Sequence, residues 1–181
     1  VDEASALTAI DPFFLRHMAD IADLRRSLAQ RTLATLSDDQ LTAAKGCGFS
    51  DSALAALLQT TADAVRERRH AIGLRPFLRQ IDTLAAEYPA ETNYLYFTYH
   101  AVEHDVVPSS ARKVLLLGSG CYRIGSSVEF DTCCVGAAQT ARSLGYEVTL
   151  LNCNPETVST DYDLCDQLIF DEVSLETVLE L

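Results

Sequence analysis

The residues best suited to do chemistry in this sequence are Arg123, Ser127, Glu129 and Glu156. Arg123 lies within a glycine-rich stretch, Gly118-Ser-Gly120 through Gly125-Ser-Ser127. Its planar guanidinium suits a carboxylate or a small anion, and it suits a structural clamp on Glu129 or Asp131 equally well. Glu129 and Glu156 each follow the end of a strand-like run, where doubly wound sheets present functional groups. An acid there can hold water or handle protons, yet a helix N-terminal charge or a turn brace needs the same residue type. Gly118, Gly120 and Gly125 shape the first loop. Asn152, Asn154, Pro155 and Thr157 are turn formers whose side chains bond neighbouring backbone, so they shape the second. Nothing in this set is assigned as catalytic or as a metal ligand.

Two other patterns invite specific chemistry. Gly118-Ser-Gly120 after an apolar strand suggests a dinucleotide fingerprint, but its third glycine would fall at Arg123, Gly125 comes two residues late, and Asn152 stands where an acid would hold the ribose. Dinucleotide binding is therefore a minor alternative. His100-Ala-Val-Glu-His104 matches a zincin spacing without a helix to present it or a third ligand, and a polar linker explains it better. His17 and His70 read as surface or cap groups.

These residues need elements to position them, and the two halves of the chain differ in period. Asp11-Pro12 opens a helix whose Phe14, Met18, Ile21, Leu24 and Leu28 predict one buried face. Further short helices are expected over Asp38 to Lys45, from Ser50, and from Thr61 with Val65 inward and Arg66, Glu67 and Arg69 outward. Arg75 to Thr83 reads as irregular chain. Tyr94, Tyr96, Phe97 and Tyr99 form an aromatic cluster suited either to an interface or to a local core. From Lys113 the pattern becomes strand, glycine turn, helix from about Glu129 to Leu144, and strand over Glu147 to Leu151. A third strand over Gln167 to Phe170 and a helix start at Ser174 continue it. The apolar run Lys113 to Gly118 predicts a buried parallel strand. The expected fold is thus α plus α/β, an all-helical domain over 1–108 followed by a truncated, doubly wound, Rossmann-like parallel sheet over 109–181.

Composition narrows the function class. A net charge of −12 disfavours nucleic acid and anionic lipid as partners. No run reaches the roughly 18 apolar residues of a membrane span, and the start lacks a signal-peptide pattern. The six cysteines lack C-x-x-C spacing, so reduced and mostly packed thiols in a cytoplasmic protein are expected, with Cys133 and Cys134 as small packing residues. The missing initiator Met and the stop at Leu181 within a helix suggest a piece of a longer protein.

Two stretches are more particular than composition explains: Tyr122-Arg-Ile-Gly-Ser-Ser-Val-Glu-Phe-Asp131 and Asn152-Cys-Asn-Pro-Glu-Thr-Val-Ser-Thr-Asp-Tyr-Asp163. Together they closely resemble the second synthetase repeat of the carbamoyl-phosphate synthetase large chain, at its pre-ATP-grasp domain. Ile10-Asp-Pro-Phe-Phe-Leu15, Lys45-Gly-Cys-Gly-Phe-Ser-Asp51 and Ile81-Asp-Thr-Leu-Ala-Ala-Glu-Tyr88 resemble that family's oligomerisation domain. The resemblance implies a parent ligase that makes carbamoyl phosphate from bicarbonate, glutamine or ammonia, and two ATP, for pyrimidine or arginine synthesis. It implies that Arg123, Ser127, Glu129 and Glu156 border a carbamate passage. It implies no cofactor in this segment, ATP and Mg in the parent, and a fragment inactive alone because the ATP-grasp machinery lies elsewhere. The implied partners are the parent's other domains, including ATP-grasp and a glutaminase part or subunit, and a possible homo-oligomer. A non-enzymatic scaffold or interaction module is the alternative from another class.

Overall fold

A computed structural model describes residues 1–106, 109–118 and 131–181. They fall into two compact units, Val1–Arg75 and Pro76–Leu181.

The first unit is helical: α1 (Asp2–Thr8), α2 (Pro12–Leu28), α3 (Asp38–Gly46), α4 (Asp51–Leu58) and α5 (Ala62–Ala71), with a 3-10 turn at Leu33–Thr35. Local chemistry sets the starts. The Asp11 side chain accepts from Phe13 N with Pro12 behind it, Ser37 and Gln40 form a capping box, and Ser50 and Thr61 accept from Ala53 N and Ala64 N. Leu28, Leu36, Leu41, Ala44, Leu54, Ala55, Leu58 and Val65 form the core.

Two expectations fail here: spacing identifies the apolar stripe of α2 without saying what covers it, and on α5 the charge of Arg69 argues for an outward side chain against its spacing from Val65. Phe14, Met18 and Ile21 of α2 are exposed, at 60%, 61% and 42%; only Leu24 and Leu28, at the C-terminal end, reach the core. Arg69 is not outward but fully buried. It follows Val65 by four residues and so shares its face. Its guanidinium bonds Asp51 through Nε at 3.1 Å and Nη2 at 3.0 Å, and Lys45 Nζ reaches the same carboxylate at 3.0 Å. All three side chains lie in the interior.

The second unit is a five-stranded sheet in the order β1 (Phe77–Gln80), β2 (Tyr94–Thr98), β5 (Gln167–Phe170), β4 (Glu147–Asn152), β3 (Lys113–Leu117). The β1–β2 pair is antiparallel and the other pairs are parallel. Helix α6 (Thr132–Ser143) covers one face, where Ala138, Val148, Leu150, Leu164, Cys165 and Leu168 pack together. The other face gathers Leu78, Leu95, Leu151 and Ile169, with Val178 of α7 (Leu175–Leu179) against them.

Residues 76–106 thus belong to the unit that carries the sheet, to which they contribute β1 and β2, whereas the sequence placed them in the helical half. The supposedly irregular Arg75 to Thr83 contains β1. The aromatic run is strand β2, and its alternation sends Leu95 and Phe97 to one core while Tyr94 meets Phe170 edge-on at 5.4 Å. Tyr96 stays 40% exposed. The apolar run of β3 is not a buried central strand. It ends the order of strands among the described residues, and Leu117 is half exposed.

Candidate functional site

The sheet brings Gly118, at the end of β3, beside the segment that follows β4. Asn152 ends β4 fully buried, and its Oδ1 accepts from Asn154 N at 3.1 Å. Asn154 Oδ1 accepts in turn from Glu156 N at 3.0 Å. Two successive side-chain-to-backbone turns therefore bend the chain away from the strand. The bend continues into a 3-10 turn at Val158–Thr160, where Thr160 Oγ1 accepts from Thr157 N and donates to Thr157 O. Pro155 and Glu156 project from this loop and are exposed.

Gly118 is glycine because of Asn152. A Cβ at position 118 would lie 2.5 Å from Asn152 Cγ, inside any tolerable contact. The Gly118 N–H also donates to Leu151 O at 2.7 Å, extending the β3–β4 ladder by one residue. The missing side chain thus serves strand approach at this point.

Asp131 closes the loop from the other side. It is 2% exposed at the N-cap of α6, and its side chain does not cap that helix. Its Oδ2 instead accepts from Thr157 Oγ1 at 2.8 Å and from Ser159 N. Its Oδ1 is buried with no hydrogen-bond partner among the described residues. Beyond the loop, Asp171 N donates to Asn152 O, and burial holds the Asp171 carboxyl above the usual carboxylate range.

The structure therefore assembles Gly118, Asn152, Asn154, Pro155, Glu156 and Thr157 at the carboxyl ends of β3 and β4. Gly120, Arg123, Gly125, Ser127 and Glu129 lie outside the described residues. His100 and His104 lie on no helix, and His104 Nδ1 accepts from Leu78 N at 3.0 Å, a structural bond to strand β1.

The cysteines correct the expectation of packed thiols. Cys47, Cys133 and Cys153 are exposed, Cys134 is half-buried, and Cys165 alone of those described is buried. Cys133 falls on the outer side of α6 because the inner stripe of that helix is taken by Val135, Ala138 and Ala141. Burial, then the charge of Asp131, raises Cys134; burial, then Asp166, pushes Cys165 up to about 11.

Sequence reasoning missed Asp131 as more than a clamp for Arg123, and missed Asp171 entirely. The only local signal at Asp131 was an acid opening a helix, which reads as an ordinary cap. Its real partners sit 26 and 28 residues away.

Comparison with known proteins supplies the lineage. Residues 1–73 match the family described as carbamoyl-phosphate synthetase large chain, oligomerisation domain, and residues 110–181 match the carbamoyl phosphate synthase preATP-grasp domain. The chain belongs to the carbamoyl-phosphate synthetase large-chain family. It is 50% identical to the carbamoyl phosphate synthase large chain of Ralstonia nicotianae, with all of this chain aligned to 17% of that protein. Over its full length it is 48% identical to the multifunctional protein ura1 of Schizosaccharomyces pombe and 46% identical to the mitochondrial carbamoyl-phosphate synthase [ammonia] of Homo sapiens, covering 8% and 12% of them. The chain thus spans less than a fifth of the length of these synthetases. The helical unit corresponds to the oligomerisation match, and the β3–α6–β4–β5 core lies within the preATP-grasp match. Among the described residues, no helix is long and apolar enough to cross a membrane.

Proposed function

We propose that this segment belongs to a cytoplasmic ligase forming carbamoyl phosphate from bicarbonate, glutamine or ammonia, and two ATP. In that enzyme the helical unit contributes to assembly, and the loops at the carboxyl ends of β3 and β4 border the passage for carbamate. ATP and Mg²⁺ are handled by other domains of the parent, so the 181 residues do not turn over by themselves. The partners are the parent's ATP-grasp domains, its glutaminase part or subunit, and a second copy of the enzyme. The observation that carries this reading is Glu156, held exposed on a loop whose buried side Asn152, Asn154, Thr157 and Asp131 tie down. An acid carried on a braced loop at the carboxyl edge of a parallel sheet faces the crevice where such folds work.

The test uses the full-length enzyme with Ser127→Phe, following bicarbonate-dependent ATP hydrolysis together with carbamoyl phosphate formation. Hydrolysis that persists while product falls supports a passage at this loop. Wild-type levels of both remove the support for one.

A second reading, an interaction module, is favoured by one specific feature. Phe13, Phe14 and Met18 on α2 are 57%, 60% and 61% exposed, a density of apolar surface suited to a partner. Met18→Lys in the full-length enzyme tests it: lost association supports an interaction role for this face, and unchanged association removes the support for one.

A further inference from the structure

Asp131 is an expensive residue for the place it occupies. A buried carboxylate is ordinarily paired with a cation or satisfied at both oxygens, because desolvation penalises the charge. Asp131, 2% exposed, has neither arrangement among the described residues. It also forgoes the capping bond that an acid at the start of a helix would normally make, a bond worth about 1 kcal/mol. Its Oδ2 holds the loop by Thr157 Oγ1 and Ser159 N, and a neutral hydroxyl or amide oxygen could do the same. Among the described residues the fold therefore explains one oxygen and leaves the other, Oδ1, without a partner.

We propose that Asp131 Oδ1 is an acceptor on the carbamate passage, receiving an N–H of the carbamate amino group, while Oδ2 fixes the loop that carries Glu156. This rests on the passage proposed above. The assignment follows from polarity. Carbamate carries its charge on one end and donors on the other, so a buried acceptor with no donor among the described residues selects the amino end. The negative charge also disfavours the carboxylate end at the same point, so the intermediate is oriented as it moves. Asp131 holds the N-cap position of α6, twelve residues long, whose positive end offsets part of the cost of keeping that charge buried.

Two substitutions in the full-length enzyme separate the two oxygens. In Asp131→Asn the amide oxygen must stay on Thr157 and Ser159, because an NH₂ there would face the Ser159 N–H; the NH₂ then replaces Oδ1, and an acceptor becomes a donor at constant shape. Asp131→Ala deletes both. Amide exchange over 157–160 reads the tether, and carbamoyl phosphate formed per ATP hydrolysed reads the passage. The expected result for Asn is wild-type exchange, hydrolysis within about twofold, and product per ATP lowered at least about fivefold; for Ala, it is faster exchange as well. Asn with wild-type yield overturns the acceptor role. Unchanged exchange in Ala overturns the tether. A parallel decline of hydrolysis and product in Asn, with a lower melting temperature, makes Asp131 a structural strut and also overturns the proposal. Ser127→Phe, run alongside, keeps the two claims apart: if it uncouples the enzyme and Asp131→Asn does not, the passage stands without Asp131. If Ser127→Phe leaves both activities intact while Asp131→Asn uncouples them, the passage beside Ser127 fails and the acceptor role of Asp131, which rests on it, fails with it.

Discussion

Asp51 and Asp131 are both carboxylates in the interior, 3% and 2% exposed, and the two units treat them in opposite ways. Asp51 meets Lys45 and Arg69 and has donors on both oxygens. Asp131 meets a hydroxyl and a backbone amide on one oxygen and no donor among the described residues on the other. The first arrangement joins α3, α4 and α5 and places a cation against each oxygen. The second completes a loop and leaves an acceptor over, which is how a group kept for function differs from one kept for stability.

That contrast can be broken by substitution. The largest effect is expected from Asp51→Ala, which strands two buried cations; urea unfolding of the chain should show a loss of about 3–5 kcal/mol. A loss below about 1 kcal/mol would mean that the network is not structural. Gly118→Ala should follow, costing about 1–3 kcal/mol by forcing Asn152 off its position, with the cost relieved when Asn152→Gly is combined with it. Asp131→Asn belongs at the other extreme, between neutral and about 1 kcal/mol stabilising, since it removes a buried charge that meets no cation among the described residues and keeps the loop tether. A marked destabilisation there would erase the distinction from Asp51.

Two smaller effects sharpen the picture around the site. Burial raises the Asp171 carboxyl, so the folded chain binds that proton more tightly than the unfolded chain does. Its stabilising share is therefore present below the unfolded pKa and is lost as pH rises through the folded one. Asp171→Asn should raise the stability near neutral pH by less than about 1 kcal/mol, the group being half exposed, and change nothing in strong acid. Denaturation midpoints compared at pH 3 and pH 7 check the sign. Alkylation at pH 8, followed site by site by mass spectrometry, should modify Cys47, Cys133 and Cys153 well before Cys165, whose thiol is buried and pushed up to about 11.

What could be read from the chain alone was local. Asp11-Pro12, Ser37 with Gln40, Ser50 and Thr61 mark helix starts because a cap is made within three residues of itself. The turn after β4 was legible for the same reason, since Asn152 and Asn154 each bond an amide two residues on. The β–α–β alternation after Lys113 followed from a change of period, and the family followed from two motifs that composition cannot produce by chance.

What the tertiary structure decided was everything that depends on a distant partner. Arg69 lies inside because Asp51, eighteen residues earlier, neutralises it. Residues 94–98 are a strand because β5 lies beside them some seventy residues on, and residues 77–80 are one because they pair in turn with 94–98. Gly118 had to be glycine because Asn152 occupies the space a Cβ would fill, and Asp131 gave up its own helix to hold another loop. Caps and turns are settled by a few neighbouring dihedrals; burial, pairing and an unfilled acceptor depend on which segments meet, and no local spacing records that.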